Sequence, residues 1–182
     1  MTRTPCLRSF ATLIGSLSLA MAALAQTPPA KPAAAKPAAA SPSVAKPAAA
    51  AAVPAACRLE IAGNDLMQFD RKEMRVSSTC REVEVALKHT GKLPVAAMGH
   101  NWVLTRTADA SAVNGAGIGA GIKNNHVPPN DKRVIAATAL VGGGQSTSVR
   151  FPISAVVKGG DYMFFCSFPG HFGIMKGKFV VE

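Results

Sequence analysis

Cys166, His171 and Met175 place a thiol, an imidazole and a thioether near the end of the chain, in the spacing C-x4-H-x3-M. Pro169 and Gly170 lie between them, and both residue types favour a tight turn. A turn at this point can bring all three side chains together. Each has an ordinary role when taken alone, as a buried small hydrophobe, a loop histidine or a core methionine. Their occurrence together indicates a metal site.

A second imidazole lies upstream in the segment Met98-Gly99-His100-Asn101-Trp102. Gly99 has no side chain, so its backbone can approach a ligand closely. Two histidines, one cysteine and a weakly bound methionine are the ligand set of a blue-copper centre. Such a set is acceptable to both copper oxidation states. Zinc is the alternative metal, although structural zinc sites prefer further Cys or His to Met.

The elements that must position these donors are expected in one all-β domain over residues 57–182. Short tracts that alternate apolar and polar residues, separated by Gly, Pro, Asn and Asp, are typical of a β-sandwich or barrel. Residues 107–130 interrupt this rhythm. We predict an inserted flap there, with a short helix near 108–113 and a flexible glycine-rich loop over 115–121. The predicted strands include Arg58–Ile61, Val83–Lys88, Arg133–Ala136, Ser148–Phe151, Tyr162–Phe165 and Gly177–Val181.

Two segments are expected to precede this domain. Residues 1–25 combine Arg3 and Arg8 with an apolar run and the cleavage pattern Ala23-Leu24-Ala25, which predicts a secretory signal and export. The run is too short for a transmembrane anchor. Residues 26–56 are rich in Ala, Pro and Lys and predict a semi-rigid linker. The linker is either a basic spacer, which holds the domain off a membrane or cell-wall surface or touches an acidic partner, or a solvated connection without specific contacts.

Loss of the signal leaves three cysteines, Cys57, Cys80 and Cys166, in an oxidising compartment. A pair usually closes into a disulfide there. The remaining thiol must then be buried, paired between chains or bound to a metal.

Further motifs accompany the donors, and together they resemble those of the azurins, bacterial blue-copper proteins of the cupredoxin fold. The resemblance covers residues 57–182. It implies a cupredoxin-like Greek-key β-sandwich or barrel with one inserted flap that carries a short helix. The motifs are Gly63-Asn64-Asp65, Met67-Gln68-Phe69, Leu93-Pro94, Met98 to Leu104, Arg133 to Ala136, Tyr162 to Cys166, Phe168 to His171 and Met175-Lys176-Gly177.

The same resemblance implies one type 1 copper and assigns its ligands. The equatorial ligands would be His100, Cys166 and His171, with Met175 as the weak axial ligand and the Gly99 carbonyl opposite it.

Two further roles follow from the resemblance. Cys57 and Cys80 would form the disulfide of the family. Asn101 would tie the two ligand loops together, and the backbone N–H groups of Asn101 and Phe168 would reach the Cys166 sulfur. Hydrogen bonds of this kind fix the geometry of metal ligands.

An apolar surface is expected around His171, which we take to be the exposed ligand. It would meet redox proteins such as c-type cytochromes or copper-containing reductases in transient encounters, and small apolar contacts suit such encounters. Trp102, by contrast, is expected in the core. The surface residues are Met67, Leu93, Met98, Phe168, Pro169 and Ile174, with Ile118 as a further candidate.

The sequence as a whole therefore predicts a monomeric periplasmic one-electron carrier that is not an enzyme. A copper storage or delivery protein is the alternative, but such proteins tend to use exposed Met/His-rich or Cys-x-x-Cys ligands. A copper-dependent reductase would need a second ligand set.

Three remaining features have weaker implications. The excess of Lys and Arg is scattered, so nucleic-acid binding is not expected. His89 matches a family position with pH-linked ionisation, whereas a histidine in a turn is usually solvated or hydrogen-bonded. His126 lies in the flap without an assigned role, and Ile174 stands where methionine is common in the family.

Overall fold

Two β-sheets pack against each other in residues 52–182, the part of the chain that this computed structural model describes. The strands are β1 Arg58–Asn64, β2 Gln68–Phe69, β3 Glu73–Val76, β4 Glu82–His89, β5 Val103–Arg106, β6 Ala136–Ala137, β7 Ser146–Pro152, β8 Tyr162–Phe165 and β9 Lys176–Val181. One sheet has the order β2-β1-β4-β7 and the other the order β3-β9-β8-β5-β6. β1 is parallel to β4, and β3 is parallel to β9. The predicted all-β sandwich is confirmed.

Helical segments are short and lie before β1 or in the connections between strands. The α-helices are α1 Val95–Met98 and α2 Ala110–Ala120, and single 3-10 turns span Ala55–Cys57, Thr107–Asp109, Ile122–Asn124 and Ile153–Ala155.

Alternation of side chains explains why the longest strand forms where the sequence predicts it. In β4, Val83, Val85, Leu87 and His89 are buried, and the residues between them are half-buried or exposed. A period of two places one set of side chains on the core face of a sheet. Strands β1, β4, β7, β8 and β9 confirm the corresponding predictions. β2, β3 and β5 are not among the predicted strands, although the four residues of β3 alternate in the same way.

Trp102 is at the centre of the core and is fully buried, as predicted. The rings of Phe151, Phe164 and Phe179 lie around it at centroid distances of 6.0–6.3 Å, a range in which aromatic rings attract one another. Because Trp102 follows His100 by two residues, its packing also fixes the chain beside that histidine.

The inserted flap differs from the prediction. Helix α2 continues to Ala120 through most of the glycine-rich segment that was expected to be flexible. Ala110, Val113 and Gly117 form its buried face. A Cβ atom at Gly117 would overlap the carbonyl oxygen of His126. Glycine therefore permits close packing, and this burial outweighs its low helix propensity.

The predicted strand over 133–136 is wrong for its first three residues. Only its last residue, Ala136, belongs to β6. Arg133 forms a local turn instead, because its backbone N–H and its guanidinium both donate to the Asp131 carboxylate, at 3.0 and 2.6 Å. That ion pair holds the pKa of Asp131 at about 2.

The chain is packed from slightly before the predicted domain start. Val53 is buried in the core, four residues ahead of Cys57. The predicted signal and residues 26–51 of the predicted linker lie outside the described residues. No helix in the described part, residues 52–182, is long and apolar enough to cross a membrane.

Cys57 and Cys80 are joined in a disulfide. Cys57 immediately precedes β1, and Cys80 lies two residues before β4. The bond thus ties together the starts of two neighbouring parallel strands. Because the two cysteines are 23 residues apart in sequence, the cross-link also restricts the unfolded chain.

Replacing both cysteines, Cys57→Ser with Cys80→Ser, should lower the free energy of unfolding by about 3 kcal/mol, because the unfolded chain regains its loop entropy. Guanidinium denaturation of the metal-free protein measures this. A thiol reductant should reproduce the loss in the wild type and have no effect on the variant. Equal unfolding free energies for the two proteins would contradict the prediction.

Candidate metal centre

The predicted donors meet at one end of the sandwich. β8 leads directly into Cys166, and β9 starts directly after Met175. His171 lies in the turn between these strands. His100 comes from the separate segment between α1 and β5. The fold therefore brings together donors that are up to 75 residues apart in the chain.

Hydrogen bonds within the turn between β8 and β9 define its shape. The N–H of Cys166 donates to the carbonyl of Met175 at 2.9 Å, and the N–H of Met175 donates to the carbonyl of His171 at 2.8 Å. The N–H of His171 donates in turn to Phe168 at 3.0 Å. Gly170 has a φ of 85°, which a glycine adopts without strain. The turn predicted around Pro169 and Gly170 is confirmed.

Three donor atoms converge on one point. The Sγ atom of Cys166 lies 3.6 Å from Nδ1 of His171 and 4.0 Å from Nδ1 of His100. One ligand atom from each of the three residues lies within 4.8 Å of the others. Donors bound about 2.0–2.3 Å from a metal lie roughly 3.5–4 Å from each other. The spacing and the soft thiol with two imidazoles thus fit a copper ion.

Met175 and the Gly99 carbonyl lie beside this triad. The side chain of Met175 is fully buried, and the carbonyl oxygen of Gly99 is 3.9 Å from Sγ of Cys166. Gly63 provides the space they need. A Cβ atom there would lie 2.7 Å from Cδ2 of His100 and 3.3 Å from Cε of Met175. A larger residue at position 63 would push on both side chains.

The ring of His100 is held in one orientation. Its Nε2 lies 2.8 Å from the carbonyl oxygen of Asn64. This contact requires a proton on Nε2 and leaves the lone pair of Nδ1 directed toward Cys166. The role of Asn64 escaped sequence reasoning because the two residues are 36 positions apart.

His89 forms the wall behind His100 and is completely buried. The two rings are stacked, with centroids 4.2 Å apart and an angle of 10° between planes. Nδ1 of His89 accepts the N–H of Gly91 at 3.0 Å, so Nε2 carries the proton and donates to the carbonyl of Met98 at 2.8 Å. His89 is thus hydrogen-bonded and not solvated, and the pH-linked role considered from the sequence stays a prediction.

Burial sets the charge of the donors. It lowers the pKa of His171 to about 4, with smaller contributions from His100 and His89. Burial also lowers the pKa of His100, against the hydrogen bond to Asn64. It raises the pKa of the Cys166 thiol to about 11, although the backbone N–H groups of Asn101 and Phe168 favour the thiolate. At neutral pH the metal-free site holds two neutral imidazoles and a protonated thiol.

Asn101 connects three loops. Its Oδ1 accepts the N–H of Ser167 at 2.9 Å, and its Nδ2 donates to the Ser167 hydroxyl at 2.8 Å and to the carbonyl of Asn125 at 2.7 Å. The side chain of Asn125 continues the network by accepting the N–H of Leu140 at 2.9 Å. The sequence suggests the role of Asn101, but it gives no signal for the flap residue Asn125.

The flap also contacts the site through His126. This residue is 8% exposed, and its ring meets that of Phe168 edge to face at 5.4 Å. Phe168 lies in turn 4.7 Å from the ring of His171. A buried aromatic contact thus links the flap to the turn between β8 and β9, which contains His171 and is called the ligand turn below.

The predicted apolar surface is only partly exposed. Leu93 and Ile174 are 42% and 50% exposed, and Pro169 is also exposed, whereas Met67, Met98 and Phe168 are half-buried. The expectation that His171 is itself exposed is wrong, because it is only 2% exposed beneath neighbouring side chains. Leu66, at 70%, is an exposed apolar residue that sequence reasoning missed.

Known proteins share this architecture and sequence. Residues 55–182 match the family model described as copper binding proteins, plastocyanin/azurin family. An azurin of Bordetella pertussis is 54% identical over 123 residues, which cover 68% of this chain and 82% of that protein. Azurin-1 of Alcaligenes xylosoxydans xylosoxydans is also 54% identical over 123 residues, with 95% of its length covered.

A solved structure gives the same result. The azurin Az-iso2 from Methylomonas sp. strain J superposes with a TM-score of 0.68 at 44% sequence identity, over 70% of this chain and 99% of that one. The family match spans well over half of the sequence, and the fold and the donor cluster agree with it. The chain therefore belongs to the plastocyanin/azurin family of copper-binding proteins.

Proposed function

We propose that this chain is a one-electron carrier with a single type 1 copper site. His100, Cys166 and His171 would hold the ion, with Met175 and the Gly99 carbonyl as weaker contacts beside them. When bound, copper supplies a reversible Cu(I)/Cu(II) couple. The observation that carries this proposal is the buried triad of one thiol and two imidazoles with its donor atoms already directed at one point.

The surrounding residues favour electron transfer because they restrict movement of the donors. Asn64 fixes the ring of His100, and the side chain of Asn101 fixes the segment after Cys166. Donors held in this way cannot relax to a geometry that suits only one oxidation state. A small rearrangement between oxidation states lowers the barrier to moving an electron.

Burial argues against copper storage or delivery. His100, Cys166 and Met175 are fully buried, and His171 is 2% exposed. A delivery protein must pass its ion to an acceptor by exchanging one ligand at a time, which requires donors that the acceptor can reach. Removing the ion from this site would instead require the ligand turn to open.

A role as carrier rather than enzyme is supported by the donor set. A copper-dependent reductase needs a further metal cluster for its substrate. Within residues 52–182, one group of His, Cys, Asp or Glu side chains is close enough to hold a metal, the group at the proposed copper site. All of its members are already assigned as copper ligands.

The surface above His171 is proposed as the docking site for redox proteins such as c-type cytochromes or copper-containing reductases. We name this surface the His171 patch and define it as Met67, Leu93, Met98, Phe168, Pro169 and Ile174. The exposed apolar side chains of this patch let a partner approach His171 closely. The resulting complex has few polar interactions to break when it dissociates. The carrier acts as a monomer in the periplasm, after export directed by residues 1–25.

Copper binding has a direct optical test. Adding Cu(II) to the purified metal-free protein should produce intense thiolate-to-copper absorption near ~600 nm. Cys166→Ser should abolish this band, because a hydroxyl does not provide the soft thiolate. The disulfide variant with Cys57→Ser and Cys80→Ser should keep it. A wild-type protein without the band would disprove the proposal, and a band that survives Cys166→Ser would disprove the ligand assignment.

Copper binding should also release protons. At pH 7 both imidazoles are neutral, and the Cys166 thiol, with a pKa of about 11, is protonated. Thiolate coordination must displace that proton, so about one proton per Cu(II) is expected in the wild type. Titration in weak buffer with a pH electrode measures this.

The matched control for proton release is Cys166→Ser, which has no thiol proton at this site to lose. Equal proton release by the two proteins, or none by the wild type, would show that the thiol is not ionised by the metal.

A further inference from the structure

The basic side chains of the described residues differ in whether they form ion pairs with acids. Across residues 52–182, every ion pair between a basic side chain and a carboxylate involves arginine or histidine, and none involves lysine. Five of the seven arginines in this range are thus paired with neighbouring acids, Arg81 and Arg106 being the exceptions, whereas the lysine ammonium groups keep their full charge. Unpaired charges of this kind act over the longest distance on an approaching protein.

Three of these lysines border the patch. Nζ of Lys72 donates to the carbonyl of Ile174 at 3.0 Å. Nζ of Lys176 lies 5.1 Å above the ring of Phe172, in the ligand turn. The third is Lys92, which immediately precedes Leu93 and is exposed. We call Lys72, Lys92 and Lys176 the border lysines.

Two acidic side chains near this border form hydrogen bonds, and one of them also forms an ion pair with an arginine. The carboxylate of Asp65 accepts the backbone N–H groups of Lys92 and Leu93 at 2.7 and 3.3 Å. These bonds lower the pKa of Asp65 and hold the backbone of the loop at Lys92 and Leu93. Asp70, two residues before Lys72, faces Arg71 at 3.8 Å and accepts the N–H of Ala62. Hydrogen bonds from amides leave the negative charge of Asp65 in place. The border is nevertheless net positive, because the three border lysines and Arg71 outnumber Asp65 and Asp70.

We propose that the His171 patch docks a redox protein whose own redox centre is bordered by carboxylates. This inference rests on the electron-carrier function proposed above. The border lysines attract and orient the partner at long range, and the exposed apolar side chains of Leu93 and Ile174 make the close contact. Attraction of this kind raises the association rate more than the affinity, as a short-lived complex requires.

The opposite end of the sandwich provides a matched control. Arg81 precedes β4, Arg106 ends β5 and Lys158 lies in the loop before β8. The other ends of β4, β5 and β8 lie beside the proposed copper site. The three residues are therefore far from the patch, and all three are exposed. Neutralising them removes the same number of positive charges as neutralising the border lysines.

The test measures electron transfer from the copper(I) protein by stopped flow. Two c-type cytochromes serve as probes, one with carboxylates around its exposed haem edge and one with lysines. The rate constant with the acidic cytochrome should fall about tenfold or more as ionic strength rises from low to high. The triple variant Lys72→Gln, Lys92→Gln, Lys176→Gln should lose most of that dependence, and the triple variant Arg81→Gln, Arg106→Gln, Lys158→Gln should retain it. With the lysine-bordered cytochrome, the rate constant should rise with salt.

Three results would overturn the inference: no salt dependence with the acidic cytochrome, faster transfer to the basic one at low salt, or equal losses in the two triple variants. The blue absorption of each protein is recorded first. A wild type without that absorption refutes the copper site and with it this inference. Blue proteins that show no preference for the acidic cytochrome refute the docking inference alone.

Discussion

The hydrogen bonds of the Asn101 side-chain amide are the interactions on which the rest of the site depends. It is fully buried and bonds to the residue after Cys166 and to Asn125 in the flap. Because Asn101 directly follows His100, one side chain sets the distance between the two donor segments. A buried amide must satisfy its polar atoms within the protein, so the loops have little freedom to separate without losing several hydrogen bonds together.

Core packing and strand pairing next to the site restrict the positions of the donors further. The core around Trp102 fixes the segment after His100, and the close pairing of β8 with β9 fixes both sides of the ligand turn. The same burial that positions the donors keeps both imidazoles neutral and the thiol protonated in the absence of metal. The protein therefore presents a shaped, uncharged pocket whose one proton must leave when an ion enters.

Sequence alone reveals the donors because their chemistry is concentrated in short motifs. The spacing of Cys166, His171 and Met175 and the alternation in β4 are local patterns, and local patterns can be read directly. Contacts across the fold cannot be read in this way. The stacking of His89 on His100 and the hydrogen bond from His100 to the Asn64 carbonyl depend on strand pairing. The glycine-rich helix α2 depends on close packing of Gly117 against the His126 backbone. The burial of His171 likewise depends on how neighbouring side chains fold over it.

The fold places the donors before any ion arrives. Crystal structures of the metal-free and the copper-loaded protein, superposed on the strands, test it most directly. Sγ of Cys166 and Nδ1 of His100 and His171 should differ in position by no more than about 0.5 Å between the two structures. A displacement of any of these atoms by more than about 1 Å, or copper bound away from them, would contradict it.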